Sequence, residues 1–279
     1  MNNIIKEFED IDNLNVEEIY PNIFVYHDML SDPQKTYNVL LNSEKENLED
    51  GYFSKWTDWS VFGTYTKDSS EENIDNLKNK EKFLLEKSIS DEIYLSYSKA
   101  INHYFKKTNI EIPENANLTN NSYCKYADSI NVLKNNMTMQ YHTDYIISEK
   151  DMPGPKFHTT CTFYINDDYD GGEIEFYIDN NFITYKPKAG DILIFPSTEP
   201  YWHGVKTINS GNKFFIRSFI MFTFDGTEEW LNNQKEYGAY RWAKLEIDRC
   251  EKENKNNMLY IKDGKIVSHE DMYAENKEL

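Results

Sequence analysis

Between Met139 and Phe224 the chain alternates short β-prone runs with clusters of turn-forming residues, and this spacing constrains the fold more than any other feature. Runs rich in aromatic or β-branched residues lie at 159–165, 173–178, 192–195 and 214–224. Clusters of Gly, Pro, Asn, Asp and Lys separate them at 166–172, 186–191 and 209–213. Short strands with this punctuation are typical of a β-sandwich or a β-barrel.

A His-x-Asp pair opens this stretch, because a single residue separates His142 from Asp144. If the pair lies on a strand or at its end, both side chains point to one face, about 7 Å apart along the backbone. A second histidine from another strand would complete a face of two imidazoles and one carboxylate. That ligand set suits non-haem Fe(II) and leaves coordination positions open. His203, which follows Trp202, is the candidate.

These residues resemble the double-stranded β-helix of Fe(II)/2-oxoglutarate oxygenases, and within them the prolyl 4-hydroxylase-like group. The matching pieces are His142-Thr143-Asp144, the run 163–168 leading to Gly171-Gly172-Glu173, the run 187–191 with Ile194-Phe195-Pro196, His203-Gly204-Val205, and Arg217. The resemblance implies an α+β, mainly β fold with a double-stranded β-helix (jelly-roll or cupin-like) core. N-terminal helices would buttress this core, and a helix with a hairpin would form a C-terminal extension.

The resemblance also assigns site residues, each on the position that matches the family pattern. The metal ligands and catalytic residues are His142, Asp144 and His203; the cosubstrate residues are Arg217, Tyr164 and Tyr126; the candidate substrate contacts are Trp202 and Tyr145. Arg217 would pair with the far carboxylate of 2-oxoglutarate, because a planar guanidinium suits bidentate carboxylate recognition. The tyrosines would line the same pocket.

The implied activity is hydroxylation of a C–H bond with Fe(II), 2-oxoglutarate and O2, with release of succinate and CO2 and with ascorbate as reductant. The carboxylate of Asp144 favours hydroxylation, because related halogenases lack it. The preferred substrate is a prolyl residue in a peptide or protein. Two alternatives stay open: the same chemistry on a small molecule or another amino acid side chain, and a non-enzymatic cupin-like binding module.

The N-terminal part of the chain predicts helical support for the β core. Residues before Tyr20 are polar and acidic, and we expect them to be helical in part or frayed. Asp32 followed by Pro33 marks the start of a helix that would run to about Glu46. A second helix is expected from Ser90, because apolar residues recur there at helical spacing.

The C-terminal part predicts a helix from about residue 227 to about residue 253, followed by a hairpin over 258–267. The hairpin is expected because Asp263-Gly264 favours a tight primed turn. We therefore expect residues 1–225 to form the oxygenase domain, with helical support to about residue 120 and the β-helix core over 121–225. Residues 226–279 would form an extension packed on this domain or on a partner subunit, which allows a homodimer.

The net charge and the composition restrict the classes of binding partner that we expect. The net charge is −18, and nucleic-acid binding needs clustered Lys and Arg that this chain does not show. No apolar run approaches membrane-spanning length, and the N-terminus lacks the basic start and apolar core of a signal peptide. The three cysteines have no zinc-site or disulfide spacing. We expect a cytoplasmic protein that acts on a peptide, protein or small molecule, without a nucleic-acid or membrane partner.

Overall fold

The computed structural model describes residues 11–47, 80–112, 116–118, 122–127, 137–144, 155–223, 258–262, 264–267 and 271. The predicted C-terminal helix and Tyr145 lie outside these residues. A short 3-10 helix spans Ile11–Asn13, and two α-helices span Pro33–Asn47 (α1) and Lys80–Thr108 (α2). The strands are β1 (Val16–Tyr20), β2 (Ile23–Tyr26), β3 (Asn117–Leu118), β4 (Ser122–Ala127), β5 (Met137–His142), β6 (Pro155–Tyr164), β7 (Asp170–Gly171), β8 (Ile174–Ile178), β9 (Asn181–Tyr185), β10 (Ile192–Pro196), β11 (Trp202–Lys206), β12 (Ile208–Ser210), β13 (Asn212–Thr223), β14 (Met258–Lys262) and β15 (Lys265–Val267).

Two antiparallel sheets form the core. The major sheet runs β1-β2-β10-β6-β13-β3, and β4 also pairs with β13. The minor sheet runs β15-β14-β5-β11-β8-β9, and β7 and β12 form a two-stranded ribbon. This arrangement is the predicted double-stranded β-helix, mainly β with few helices.

Alternation along the strands of the major sheet separates two cores. On β2, Phe24 and Tyr26 pack in the cluster that contains α2, whereas Ile23 and Val25 belong to the second cluster. On β10, Ile192 and Ile194 face α2 while Leu193 and Phe195 face the second cluster. Successive strand side chains point to opposite faces, so one sheet serves both cores. The second core, which includes residues of both sheets, surrounds the candidate site.

Helix α2 buttresses the major sheet as predicted. Its buried face comprises Ile89, Ile93, Tyr97, Ala100, Ile101, Tyr104 and Phe105. The hydroxyl of Tyr97 donates to the carbonyl of Ile216 on β13 at 2.7 Å, which ties the helix to the sheet. The predicted start at Ser90 was wrong, because the helix begins at Lys80. In the added turns, Leu84 and Leu85 are exposed.

Helix α1 begins where the sequence predicted. Pro33 is its first residue, and the side chain of Asp32 accepts a hydrogen bond from the Lys35 amide at 2.9 Å. This contact is an N-cap, which satisfies one of the free amides at the start of a helix. Residues 16–20, which were expected to be helical in part or frayed, instead form edge strand β1 beside β2.

The predicted hairpin over 258–267 is present, since β14 pairs with β15 in antiparallel register. Strand β14 also pairs with β5 and places Met258 opposite His142. The hairpin therefore extends the minor sheet on the side of the strand that carries a candidate metal ligand. The homodimer through this extension stays a prediction. Within the described residues, neither α-helix combines the length and apolar character needed to cross a lipid bilayer.

Two glycines with the same backbone conformation offer a matched test of packing. Gly171 has φ 71° and Gly264 has φ 72°. A Cβ on Gly171 would lie 2.0 Å from the carbonyl oxygen of Thr207, whereas a Cβ on Gly264 would meet nothing within 4 Å. Both alanine variants lose about 1–2 kcal/mol because an L-residue is strained in this region. Gly171→Ala should lose about 1–3 kcal/mol more through overpacking.

Denaturant unfolding of the two variants measures this difference in the free energy of unfolding. Equal losses for Gly171→Ala and Gly264→Ala would contradict the close approach of β7 to Thr207.

Candidate active site

Strand pairing brings two of the predicted ligands together. His142 ends β5 and His203 lies in β11, and the two residues are directly opposite each other in the ladder. Their ring centroids are 4.5 Å apart. Phe195 packs edge-on against the His203 ring at 4.7 Å, so apolar contact restrains that ring.

Both histidines present the same nitrogen to the site. Nδ1 of His142 bonds to the carbonyl of Gln140 at 2.8 Å, and Nδ1 of His203 bonds to the carbonyl of Tyr201 at 3.2 Å. A carbonyl oxygen can only accept, so each Nδ1 carries the hydrogen. In the neutral ring, Nε2 is then left with a free lone pair, which is the form that binds a metal.

Asp144 lies two residues beyond β5 and completes the group. Its Oδ1 is 3.5 Å from Nε2 of His142, and its Oδ2 is 3.5 Å from Nε2 of His203. One ligand atom from each of the three residues lies within 4.8 Å of the other two. The structure therefore brings His142, Asp144 and His203 together in a cluster that one metal ion could bridge.

Burial and charge prepare these groups for a cation. Burial lowers the pKa of His203 to about 4, so this ring is neutral near pH 7. Burial also acts to lower the pKa of His142, but Asp144 and the Gln140 carbonyl outweigh it and the net shift is upward. Burial alone would raise the pKa of Asp144, yet the two histidines and Thr160 hold it well below its usual value. The carboxylate is therefore ionised and available as a ligand.

The pocket beside the cluster runs between the two sheets. Its lining comprises Tyr126, Met139, His142, Asp144, Thr160, Thr162, Tyr164, Ile174, Phe195, His203, Val205, Lys213, Phe215 and Arg217. All three predicted cosubstrate residues, Arg217, Tyr164 and Tyr126, are in this lining. The Tyr126 hydroxyl donates to the Met139 sulfur at 3.4 Å, and Tyr164 is almost fully buried.

Lys213 is a site residue that the sequence reasoning missed. It is 1% exposed, and its ammonium donates to the carbonyl of Gly172 at 2.6 Å. The same ammonium lies 4.9 Å from the Tyr164 ring centroid and 5.9 Å from that of Phe215. Burial lowers the pKa of Lys213 to about 7. The sequence pattern placed Lys213 in the turn cluster 209–213, and that assignment was wrong at its end, because β13 begins at Asn212 and includes Lys213.

The two cations occupy different levels of the pocket. Arg217 pairs with Thr162 on β6, two residues from Thr160, which contacts Asp144. Its charge helps to lower the pKa of His203 and opposes the upward shift in the pKa of His142. The pKa of Lys213, which burial lowers most, is also lowered by the charge of Lys186 and raised by that of Glu173. Arg217 is half-buried, whereas Lys213 is almost fully buried among aromatic rings.

Trp202 does not line this pocket, although it was predicted to contact substrate. It precedes His203 on β11 and pairs with Tyr177 on β8. Neighbouring residues of a strand point to opposite faces, so a side chain next to an inward-facing histidine faces away from it. Tyr145 was predicted for the same role and lies outside the described residues. Its substrate contact stays a prediction.

The donor set fits a divalent transition metal. Two neutral imidazoles and one carboxylate on one side of an ion are the facial set that suits non-haem Fe(II). Mn²⁺ should therefore bind the native protein and raise its free energy of unfolding by about 2.7 kcal/mol at a hundredfold excess over Kd. Thermal unfolding with and without Mn²⁺ measures this gain.

His203→Ala should abolish the stabilisation, because only one imidazole would remain in the set. His158→Ala is the matched control, since His158 lies on β6 and is not part of the cluster. Equal stabilisation of His203→Ala and the parent protein by Mn²⁺ would contradict the site.

Residues 129–221 match a family model described as the 2OG-Fe(II) oxygenase superfamily. No curated protein matches the sequence. Similar solved structures include a viral collagen prolyl hydroxylase from Paramecium bursaria Chlorella virus-1, with 15% identity, TM-score 0.48, and coverage of 72% of this chain and 89% of that chain. Another is a prolyl hydroxylase from Trichoplax adhaerens in complex with a hypoxia inducible factor peptide fragment, with 15% identity, TM-score 0.47, and coverage of 79% and 90%.

The family match spans β5 to β13, which are the strands that carry the clustered histidines and the two pocket cations. The matched segment also includes Asp144. The match to the 2OG-Fe(II) oxygenase superfamily model is confined to residues 129–221, the segment that contains the cluster and most of the pocket lining.

Proposed function

We propose that this protein hydroxylates a substrate C–H bond as an Fe(II)- and 2-oxoglutarate-dependent dioxygenase. The observation that carries the proposal is the presence, in one pocket, of the His142-Asp144-His203 cluster and a buried lysine ammonium. When bound, Fe(II) and 2-oxoglutarate together reduce O2, with release of succinate and CO2, and supply one oxygen atom to the substrate. The protein contributes binding, orientation and exclusion of water.

Lys213 is the residue we propose for the far carboxylate of 2-oxoglutarate. A buried ammonium is costly unless a charge pairs with it, and its hydrogen bond here goes to the neutral carbonyl of Gly172. An arriving carboxylate would supply the missing opposite charge in a water-poor environment, where the attraction is strong. Tyr164 and Tyr126 line the same pocket and supply hydroxyl groups for the cosubstrate.

This assignment changes the role predicted for Arg217. The resemblance placed the far carboxylate on Arg217, but Arg217 pairs with Thr162, two residues along β6 from the Thr160 that contacts Asp144. A dicarboxylate held by the metal at one end extends away from it, so the deeper cation is better placed for the other end. We propose that Arg217 contributes positive charge near the metal-binding end of the pocket.

For the substrate we propose a prolyl residue in a peptide or protein. The support is the resemblance of the motifs around His142, Gly171 and His203 to the prolyl 4-hydroxylase-like group. A small molecule or another amino acid side chain remains the alternative, since the described pocket residues favour neither. Mass spectrometry separates them, because hydroxylation adds one oxygen atom to either a peptide or a metabolite.

Turnover tests the proposal directly. The purified protein, supplied with Fe(II), 2-oxoglutarate, O2 and ascorbate as the predicted reductant, should form succinate. Proline-rich peptides should gain about 16 mass units, because one oxygen atom is inserted for roughly each succinate formed. His142→Ala should form none, because the metal loses a ligand. His158→Ala serves as control. Succinate formation by His142→Ala at the parent rate would contradict the site, and the absence of any peptide oxidation would contradict the substrate.

The lowered pKa of Lys213 predicts a pH dependence of cosubstrate binding. Only the ammonium form pairs with a carboxylate, and this form is lost as pH rises above a pKa of about 7. With the metal site saturated by Mn²⁺, affinity for 2-oxoglutarate should fall by about tenfold per pH unit between about pH 7.5 and about pH 9. Calorimetry measures the affinity.

Lys213→Met should bind 2-oxoglutarate weakly and without this pH dependence, since no ammonium remains to titrate at that position. The matched variant Arg217→Met should keep the pH dependence of 2-oxoglutarate affinity, because Lys213 is intact. The reverse pattern, with the slope lost in Arg217→Met and kept in Lys213→Met, would restore the role first predicted for Arg217.

A further inference from the structure

Asp144 differs from the two histidines in how its position is fixed. His142 and His203 lie in paired strands, and a backbone carbonyl holds the Nδ1 of each ring. Asp144 lies beyond the end of β5, outside any ladder. Its Oδ2 accepts a hydrogen bond from the hydroxyl of Thr160 at 2.6 Å. Thr160 belongs to β6 in the opposite sheet, so this contact crosses the core.

The hydrogen bonds around Thr160 have one possible order. The Thr160 oxygen also lies 2.8 Å from the hydroxyl oxygen of Ser197. An ionised carboxylate only accepts, so the single hydroxyl hydrogen of Thr160 goes to Asp144. Ser197 must then donate to Thr160. The chain therefore runs from Ser197 to Thr160 to Asp144, and successive bonds of this kind strengthen one another.

Burial and strand pairing hold the hydrogen bonds from Ser197 to Thr160 to Asp144 in place. Thr160 is 2% exposed and Ser197 is fully buried, so water does not compete for either hydroxyl. Thr160 pairs with Phe195 on β10 and with Phe219 on β13, which fixes its backbone on both sides. The amide of Ser197 donates to the carbonyl of His158 at 3.1 Å. The two hydroxyls are therefore held by the major sheet while the carboxylate they orient belongs to the minor-sheet side.

We propose that Thr160, oriented by Ser197, is a positioning residue that fixes Asp144 through Oδ2 and presents Oδ1 to the metal. The inference rests on the proposed function, because it concerns the metal of that site. Without the Thr160 hydroxyl, the carboxylate could turn about its Cβ–Cγ bond and would have to be ordered when the metal binds. Partners of this kind typically change metal affinity by about 10–100-fold when removed.

Four variants test the role. Thr160→Val removes the hydroxyl with little change in shape, Thr160→Ser keeps it, and Ser197→Ala removes the donor behind it. Thr159→Val is the matched control, because Thr159 is equally buried on the same strand but is not part of the pocket lining. Mn²⁺ affinity is measured by calorimetry and electron paramagnetic resonance, and Co²⁺ absorption spectra report the ligand geometry. None of these readouts requires turnover.

Thr160→Val should bind Mn²⁺ about 10–100-fold more weakly than the parent and should alter the Co²⁺ spectrum. Thr160→Ser should restore both properties, Ser197→Ala should weaken binding by less than Thr160→Val, and Thr159→Val should match the parent. Circular dichroism and thermal unfolding establish that each variant is folded. If Thr160→Val does not fold, Thr160→Ser and Ser197→Ala decide the question.

Metal binding by the parent protein and by the variants distinguishes a failure of the proposed function from a failure of the positioning role. A parent protein that binds no metal overturns the proposed function and the positioning role with it. A parent that binds Mn²⁺ while Thr160→Val binds it equally well overturns the positioning role alone. Binding by Thr160→Ser as weak as by Thr160→Val, or binding by Ser197→Ala equal to the parent, also overturns it, because the hydroxyl chain would then have no effect.

Discussion

The antiparallel pairing of β5 with β11 is the interaction on which the site depends. It sets His142 directly opposite His203, and no loop conformation is needed to bring the two rings together. The ladder continues through β8 and β9 on one side and through β14 and β15 on the other, so both histidines lie inside a sheet. A shift of one residue in this register would turn one ring to the opposite face. The sheet geometry therefore positions the two imidazole rings that the proposed metal site requires.

The second constraint is electrostatic. The pocket combines the ionised carboxylate of Asp144 with the basic side chains of Arg217 and Lys213, and much of its wall is apolar. Lys213 in particular is held by one carbonyl and surrounding aromatic rings, an arrangement that leaves its charge poorly compensated. A carboxylate bound beside Lys213 would offset the desolvation of its ammonium group. This position therefore favours an anionic ligand.

Local patterns explain what the sequence could predict. Turn clusters and β-prone runs located strands such as β8 and β10, and helical periodicity located the buried part of α2. Asp32 and Pro33 predicted the start of α1 because capping is a local interaction. The depth of Lys213 depends instead on tertiary burial, and an isolated lysine in a strand usually reaches solvent. The link from Thr160 to Asp144 joins opposite sheets, and nothing in either residue's neighbours along the chain indicates it.

The most direct measurement is an anomalous-difference map from crystals grown with Mn²⁺ and 2-oxoglutarate. We expect a metal peak bound by Nε2 of His142, Nε2 of His203 and a carboxylate oxygen of Asp144, with the far carboxylate of 2-oxoglutarate on Lys213. A metal peak elsewhere, or 2-oxoglutarate bound outside the pocket between the sheets, would contradict it.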